Sequence, residues 1–215
     1  MLVRRILFRA LRFAFHLFYN PFACTYDFVS ALVSRGRWRE WTHAAIPRLV
    51  GTRILEVPCG TGNLLLDLRA AGYAPIGVDL SASMLSITRG KLRRSGTRAP
   101  LVRARAQALP FPDRAFDSVV MTFPPGLVYD TTACAELRRV LDERGRLIWV
   151  DGARFRSGAW GRLVNRWIGF VGDEIEFERT LKQVLARAGF DAQVEWVGDA
   201  VSVVAVATAT KRGIE

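Results

Sequence analysis

From residue 53 onward the chain alternates short apolar runs with amphipathic stretches of helical period. The runs Arg53–Val57, Pro75–Asp79, Leu101–Ala104, Phe116–Thr122 and Arg146–Asp151 read as strands. Between them, Asn63–Ala71, Ala82–Arg94 and Thr132–Leu141 read as helices. Apolar runs this short and this unbroken suit strands buried on both faces, so a parallel sheet covered by helices is expected. A helix over Glu176–Ala188 should stop at Gly189, a glycine in the C′ position. The last two runs, Ala192–Val197 and Val201–Thr208, are separated only by Gly198-Asp199-Ala200, which predicts an antiparallel hairpin at the sheet edge. The fold class is therefore α/β: seven strands, mostly parallel, with an antiparallel C-terminal hairpin and helices on both faces. Residues 153–173 interrupt the rhythm with Arg, Trp and Gly and no acid before Asp173, and read as an insertion beside the site.

Residues 1–50 carry no strand pattern. They read as an N-terminal helical segment ahead of a domain spanning 51–215, with helices over 2–19, Tyr26–Val33 and Trp38–Leu49. In the first of these Arg5, Arg9, Arg12 and His16 share one narrow face, most of the rest is bulky and apolar, and Asn20-Pro21 stops the helix. Three roles suit such a helix: a lid over a substrate pocket, an element lying in a membrane interface with its arginines toward anionic lipid, or a piece of the core.

Composition narrows the field. Half the residues are apolar, which excludes a disordered chain. No uncharged apolar stretch reaches the roughly 20 residues a spanning helix needs, and Arg4, Arg5, Arg9 and Arg12 break up any signal-peptide core. Net charge is +11, and all but three of the 31 basic residues are arginine. An anionic membrane surface, an anionic substrate and nucleic acid are the partners such a charge allows, although no nucleic-acid module accompanies the acid-free run from Arg89 to Arg105. Cys24, Cys59 and Cys134 are too few and too scattered for a disulfide framework or a zinc site, so no metal is expected. A cytoplasmic protein, peripheral at the inner face of the membrane, fits best. Oligomeric state is not legible.

Chemistry concentrates in Glu56-Val57-Pro58-Cys59-Gly60-Thr61-Gly62, which follows a buried strand and opens a helix. Glycines there let the backbone approach a ligand and adopt positive φ. Dinucleotide folds use the same device, so the turn alone is a weak signal. Asp79, ending the second strand in Gly77-Val78-Asp79-Leu80, adds a carboxylate where one can accept hydrogen bonds from ribose hydroxyls.

With these pieces in order, residues 53–151 resemble the class I S-adenosylmethionine (SAM)-dependent methyltransferases, particularly the group of ubiquinone/menaquinone C-methyltransferases. The family's glycine motif is matched by Glu56, Pro58, Gly60 and Gly62. Its D-A-x-x-L-P-F-x-D-x-x-F-D segment is similar to Arg105–Asp113 followed by Phe116-Asp117. Glu136–Leu141 with Gly145 also matches and is mainly architectural in the family. The resemblance implies a Rossmann-like fold with SAM as cofactor and S-adenosylhomocysteine as product. It implies that Glu56 orients the SAM amino group, that Cys59 to Gly62 wrap the methionine part with Val57 and Pro58 also in the cofactor site, and that Asp79 holds the ribose. Leu80 and Met84 would pack near the adenine, Ala106 and Gln107 would sit at its edge, and Thr122 and Phe123 would reach the pocket mouth. Two residues depart from the pattern. Pro58 replaces the first glycine, so the turn forms only if that position needs neither an N–H nor positive φ. Arg105 replaces an aspartate and cannot accept a bond from the adenine amino group, which shifts that task to backbone groups near Ala106.

Methyl transfer needs a base only if the acceptor must lose a proton, and the sequence offers no compelling one. Tyr19, Tyr26, Asp27 and Tyr129, with Asp130, are the candidate pocket residues. His16 and His43 read as structural, and Cys59 is explained by its place in the turn. Thr122-Phe123-Pro124-Pro125-Gly126 lacks the polar first and aromatic last residues of the nucleobase amino-methyltransferase motif. The expected activity is methyl transfer to a small, apolar or lipid-like acceptor, suggested by the aromatic-rich first helix and by Trp160 and Trp167. The alternatives are an RNA or protein methyltransferase using the basic surface, a nicotinamide oxidoreductase, and a non-catalytic protein of this fold.

Overall fold

A computed structural model describes residues 22–124, 130–168 and 174–213. The expected helix 2–19, with Tyr19 and His16, and the candidate Tyr129 lie outside the described residues. So does the stretch 169–173.

Two short helices precede the sheet, α1 (Tyr26–Ser34) and α2 (Trp38–His43), with 3-10 turns at Ala23–Thr25 and Ile46–Arg48. Then follow β1 (Arg53–Glu56), α3 (Asn63–Ala70), β2 (Ala74–Asp79), α4 (Ala82–Arg94), β3 (Leu101–Arg103), β4 (Phe116–Thr122) and α5 (Thr131–Val140). The rest of the chain forms β5 (Leu141–Phe155), α6 (Ala159–Ile168), α7 (Glu174–Arg187), β6 (Phe190–Gly198) and β7 (Ser202–Lys211). The seven strands lie in the order β3-β2-β1-β4-β5-β7-β6. β1 to β5 pair in parallel, and β7 is antiparallel to both β5 and β6.

The expected elements fall within a few residues of their observed bounds, except the helix expected over Trp38–Leu49, which ends at His43 with a separate 3-10 turn at Ile46–Arg48, and β5. That strand begins at Leu141, opposite Phe116, passes through a bulge before Arg146, and runs on to Phe155. The expected Glu143-Arg144-Gly145 turn is this bulge: Gly145 lies so close to the Asp117 carbonyl that a Cβ would sit 2.8 Å from it. Of the stretch 153–173, residues 153–155 extend β5 and 159–168 form α6. Gly189 ends α7 at φ +81 with its N–H on the Ala186 carbonyl.

Both sheet faces are buried. Leu55, Val119, Met121, Leu147 and Trp149 meet α5 and α7 on one side. Ile54, Val120, Ile148 and Val150 meet Trp41, Leu64 and Val164 on the other. The chain builds from β1 outward to β3, then returns to place β4 on the other side of β1. Crevices open at the carboxyl ends of strands where the order reverses in this way. The ends of β1, β2 and β4 (Glu56, Asp79 and Thr122) meet there.

Candidate active site

The glycine turn leaves β1 at this crevice. Val57 donates its N–H to the Val120 carbonyl (3.0 Å) and Cys59 donates to Val78 (2.8 Å). Pro58 sits between these two donors, where no N–H is required, and the Val57–Pro58 peptide is cis. The substitution of proline for glycine is therefore compatible with the turn. The positive φ values fall at Gly60 (+51) and Gly62 (+78). At Gly62 a Cβ would come within 2.4 Å of the Thr88 methyl on α4, so the glycine is demanded by packing as well as by conformation. A Cβ at Gly60 would meet open space, which leaves that side of the turn free for a ligand.

Two carboxylates flank the turn. Asp79 Oδ2 accepts from Gly60 N–H (2.9 Å) and Oδ1 from Ser81 N–H (2.8 Å). Burial pushes its carboxyl up, and these backbone donors pull it partly back. Glu56 is 1% exposed, and its Oε2 has no hydrogen-bond partner. Burial, followed by the charges of Asp79 and Asp67, raises its carboxyl well above the usual range. A buried, partnerless carboxylate oxygen is a destabilising feature unless something supplies it with donors. An ammonium group at this place would do so. Cys59 packs inward against Gly77, and burial keeps its thiol protonated, so it is no nucleophile.

A third carboxylate closes the turn from outside the sheet. Asp27 of α1 accepts from the Thr61 hydroxyl (2.6 Å), the Asn63 amide (3.0 Å) and the Lys91 ammonium (2.5 Å). Lys91 also donates to Asn63 Oδ1 (2.6 Å). Burial raises the Asp27 carboxyl, but Lys91 and the other donors outweigh it and hold the group below its ordinary value. Both of its oxygens are thus engaged in holding the turn.

Of the remaining candidates, Met84 is fully buried in α4, and Leu80 is 55% exposed just past Asp79. Ala106 is buried. Gln107 donates to Asp130 Oδ2 (2.6 Å), while Asp130 Oδ1 caps α5 through the Thr132 and Ala133 N–H groups. The Arg105 side chain is exposed. The Leu109–Asp113 segment is tied down by α5: Glu136 accepts from Leu109 N–H, and Arg139 donates to the Leu109 and Phe111 carbonyls and to Asp113. His43 is paired with Asp67 (2.6 Å), away from the turn.

An aromatic wall stands at the end of β4. Phe123, at φ +45, lies under Trp38 with ring centroids 4.3 Å apart. Tyr26 meets Trp38 edge-on at 6.1 Å, and Trp41 lies 6.2 Å from Phe123. Sequence reasoning placed Tyr26 and Phe123 near the pocket but passed over Trp38, Thr88 and Lys91. Thr88 donates to the Gly60 carbonyl (2.8 Å). Its position seven residues after the Ser81 cap of α4 was the available signal, because it falls two helical turns along the same face. Asp151, within β5 opposite Ala205 of β7, was also passed over. Burial pushes its carboxyl up to about 6, against the Gly152 N–H and the nearby Trp149 indole, whose N–H falls outside hydrogen-bonding geometry.

A parallel sheet with an antiparallel strand near one edge, a glycine turn after β1, an acid ending β2 and a partnerless buried glutamate define a nucleoside-binding enzyme of the SAM-dependent class. Comparison with known proteins agrees. Residues 54–145 match the family described as a methyltransferase domain. The demethylmenaquinone methyltransferase of Thermus thermophilus is 31% identical, the alignment covering 87% of this chain and 98% of that protein. The ubiquinone/menaquinone biosynthesis C-methyltransferase of Burkholderia mallei is 29% identical, with 90% of each chain covered. Among solved structures, a SAM-dependent methyltransferase from Methanococcus maripaludis superimposes with a TM-score of 0.65 at 17% identity, over 90% of this chain and 93% of that one. A [4+2]-cyclase gives 0.63 at 19%, over 81% of each chain. The two structures share the fold, and their different chemistries show that the fold alone does not choose a reaction. The chain belongs to the class I SAM-dependent methyltransferases, and SAM is its cofactor.

The residues present fit that cofactor. The amino group would supply the donors Glu56 Oε2 lacks, and the open side of Gly60 would admit the methionine part. Asp79 keeps lone pairs for the ribose hydroxyls beyond the two it gives to backbone N–H groups.

Proposed function

We propose that this methyltransferase acts on a small, apolar, quinone-like acceptor seated against the Phe123–Trp38 wall. The wall is the observation that carries the proposal. It brings together three aromatic rings from α1, α2 and the end of β4. An aromatic cluster of this kind suits a flat apolar acceptor. The two relatives, whose names denote methylation in quinone biosynthesis, support the same substrate class.

SAM supplies an already activated methyl group, so the chain's work is alignment. Glu56 and Asp79 fix the two ends of the cofactor. Asp27, Thr61 and Lys91 fasten α1 to the turn, so that the aromatic wall and the cofactor cradle are set in one frame. In this arrangement Asp27 is a positioning group, and Tyr26 serves as part of the wall. On this reading the described part of the N-terminal segment, residues 22–50, roofs the acceptor side of a SAM-binding domain spanning 51–215.

Transfer of labelled methyl from SAM should be measured to demethylated quinols with short and long isoprenoid tails, and to hydrophilic phenols and amines of similar size. Methylation of the quinols is expected, with Trp38→Ala raising KM for them more than for SAM. Preferential methylation of the amines, or an unchanged quinol KM in Trp38→Ala, would overturn the proposal.

A further inference from the structure

Helix α1 is built inside out. Its inward face carries Asp27 with the buried Ser30 and Ser34, while Phe28 (71% exposed) and Leu32 (55%) point outward one turn apart. The serines return their hydroxyls to the helix's own carbonyls, and Ser34 accepts the Trp38 N–H. A helix with its apolar face in water is unfavourable unless that face is covered.

The exposed apolar face continues onto α6. The Trp160 indole donates to the Val33 carbonyl (3.4 Å) and joins the two helices. One turn further on, Leu163 is 60% exposed. The opposite side of α6 is the anchored one: Val164 is buried, and Asn165 holds both backbone groups of Phe155. Arginines border the patch. Arg162 and Arg166 lie on the outer side of α6, Arg156 just before it and Arg35 just after α1. All four are exposed, and no carboxylate among the described residues pairs with them. The nearby acids Glu40 and Asp199 are already paired with Arg37.

We propose that the outer faces of α1 and α6 together form a docking surface for an anionic lipid bilayer, in which Phe28, Leu32 and Leu163 enter the acyl boundary and the four arginines meet lipid phosphates. Resting on the acceptor reading above for its purpose, this surface would bring the aromatic wall, to which the same α1 contributes Tyr26, to the membrane from which an apolar acceptor enters. The charge selects the occupant: a second copy of a chain with net charge +11 would bring its own arginines against these.

The test is co-sedimentation of the full chain with vesicles of phosphatidylcholine alone and of phosphatidylcholine with phosphatidylglycerol, with no acceptor present. Binding is expected only to the anionic vesicles. Acyl-brominated lipid should quench tryptophan fluorescence, and less so in Trp160→Phe. The triple variant Phe28→Ser, Leu32→Ser, Leu163→Ser, with residues 1–21 intact, should bind at least about tenfold more weakly while still binding SAM. Arg162→Gln with Arg166→Gln should remove part of the salt dependence. Wild-type sedimentation retained in the triple variant overturns the proposal, as does binding indifferent to anionic lipid. Light scattering that shows a dimer lost in the triple variant would assign the face to self-association and overturn it equally. If the triple variant fails to fold, lack of quenching of the wild type by brominated lipid decides against it. A protein that binds these vesicles yet leaves quinols unmethylated refutes only the acceptor.

Discussion

Asp27 and Thr61 lie 34 positions apart in the chain, and the Thr61 hydroxyl donates to the Asp27 carboxylate over 2.6 Å. This bond, with Lys91 on the other carboxylate oxygen, makes the pre-core helix a structural part of the cofactor turn. Asp27→Ala would strand the buried Thr61 hydroxyl and weaken the anchoring of Lys91. It should destabilise the protein by about 1–3 kcal/mol and loosen SAM several-fold, as read by thermal unfolding and calorimetry. The carboxyl is held below its ordinary value of 3.8, so its contribution is present above that pH and is lost as pH falls below it. An unchanged SAM affinity in Asp27→Ala would count against the coupling of α1 to the turn.

SAM binding should be proton-linked through Glu56: burial raises its carboxyl in the free protein, and an ammonium partner would lower it again. Calorimetry in two buffers of different ionisation enthalpy should reveal net proton release, and affinity should rise with pH until the free carboxyl ionises. Glu56→Gln should bind SAM more weakly by about 2 kcal/mol or more, while the free protein is no less stable near neutrality. Binding with no proton exchanged would contradict this role.

Gly60 and Gly62 should respond differently to alanine. Gly62→Ala meets Thr88 at 2.4 Å as well as a φ of +78, and should unfold the turn or lower stability by more than the roughly 1–2 kcal/mol of left-handed strain alone. Gly60→Ala meets nothing and should lower stability by only about that strain while reducing SAM affinity. Adding Thr88→Ala to Gly62→Ala should recover part of the loss in a double-mutant cycle, and no recovery would show that the clash is not what matters.

Asp151 titrates near 6 instead of 3.8. A carboxyl raised in the folded state binds its proton more tightly there, so its effect favours folding at low pH and is lost as pH climbs from about 4 through 6. Asp151→Asn should therefore unfold at a higher temperature than wild type at pH 7.5, by on the order of 1 kcal/mol, and the difference should shrink toward pH 4. A difference that does not vary with pH would rule out the shift.

The sequence by itself determined the sheet, the glycine turn and the order of the binding residues. Each rests on interactions local in the chain: unbroken apolar runs in the strands, positive φ at Gly60 and Gly62, and an acid at a strand end. The departure at Pro58 was also decidable in principle, since a proline fits wherever no N–H is needed, but that condition depended on Val120 and Val78 as neighbours. Only the tertiary structure decided how α1 sits. Its apolar residues Phe28 and Leu32 face outward. Asp27 is satisfied only by Thr61, Asn63 and Lys91, and that anchorage turns the serine side of the helix inward. Likewise Trp38 and Phe123, 85 positions apart, meet only because β4 is returned to the side of β1 where α2 packs. Contacts between residues so distant in the chain leave no periodic trace in it, because neither partner's local preference depends on the other. The glycine turn was legible from its own residues, whereas what surrounds it was set by the packing of elements far apart in sequence.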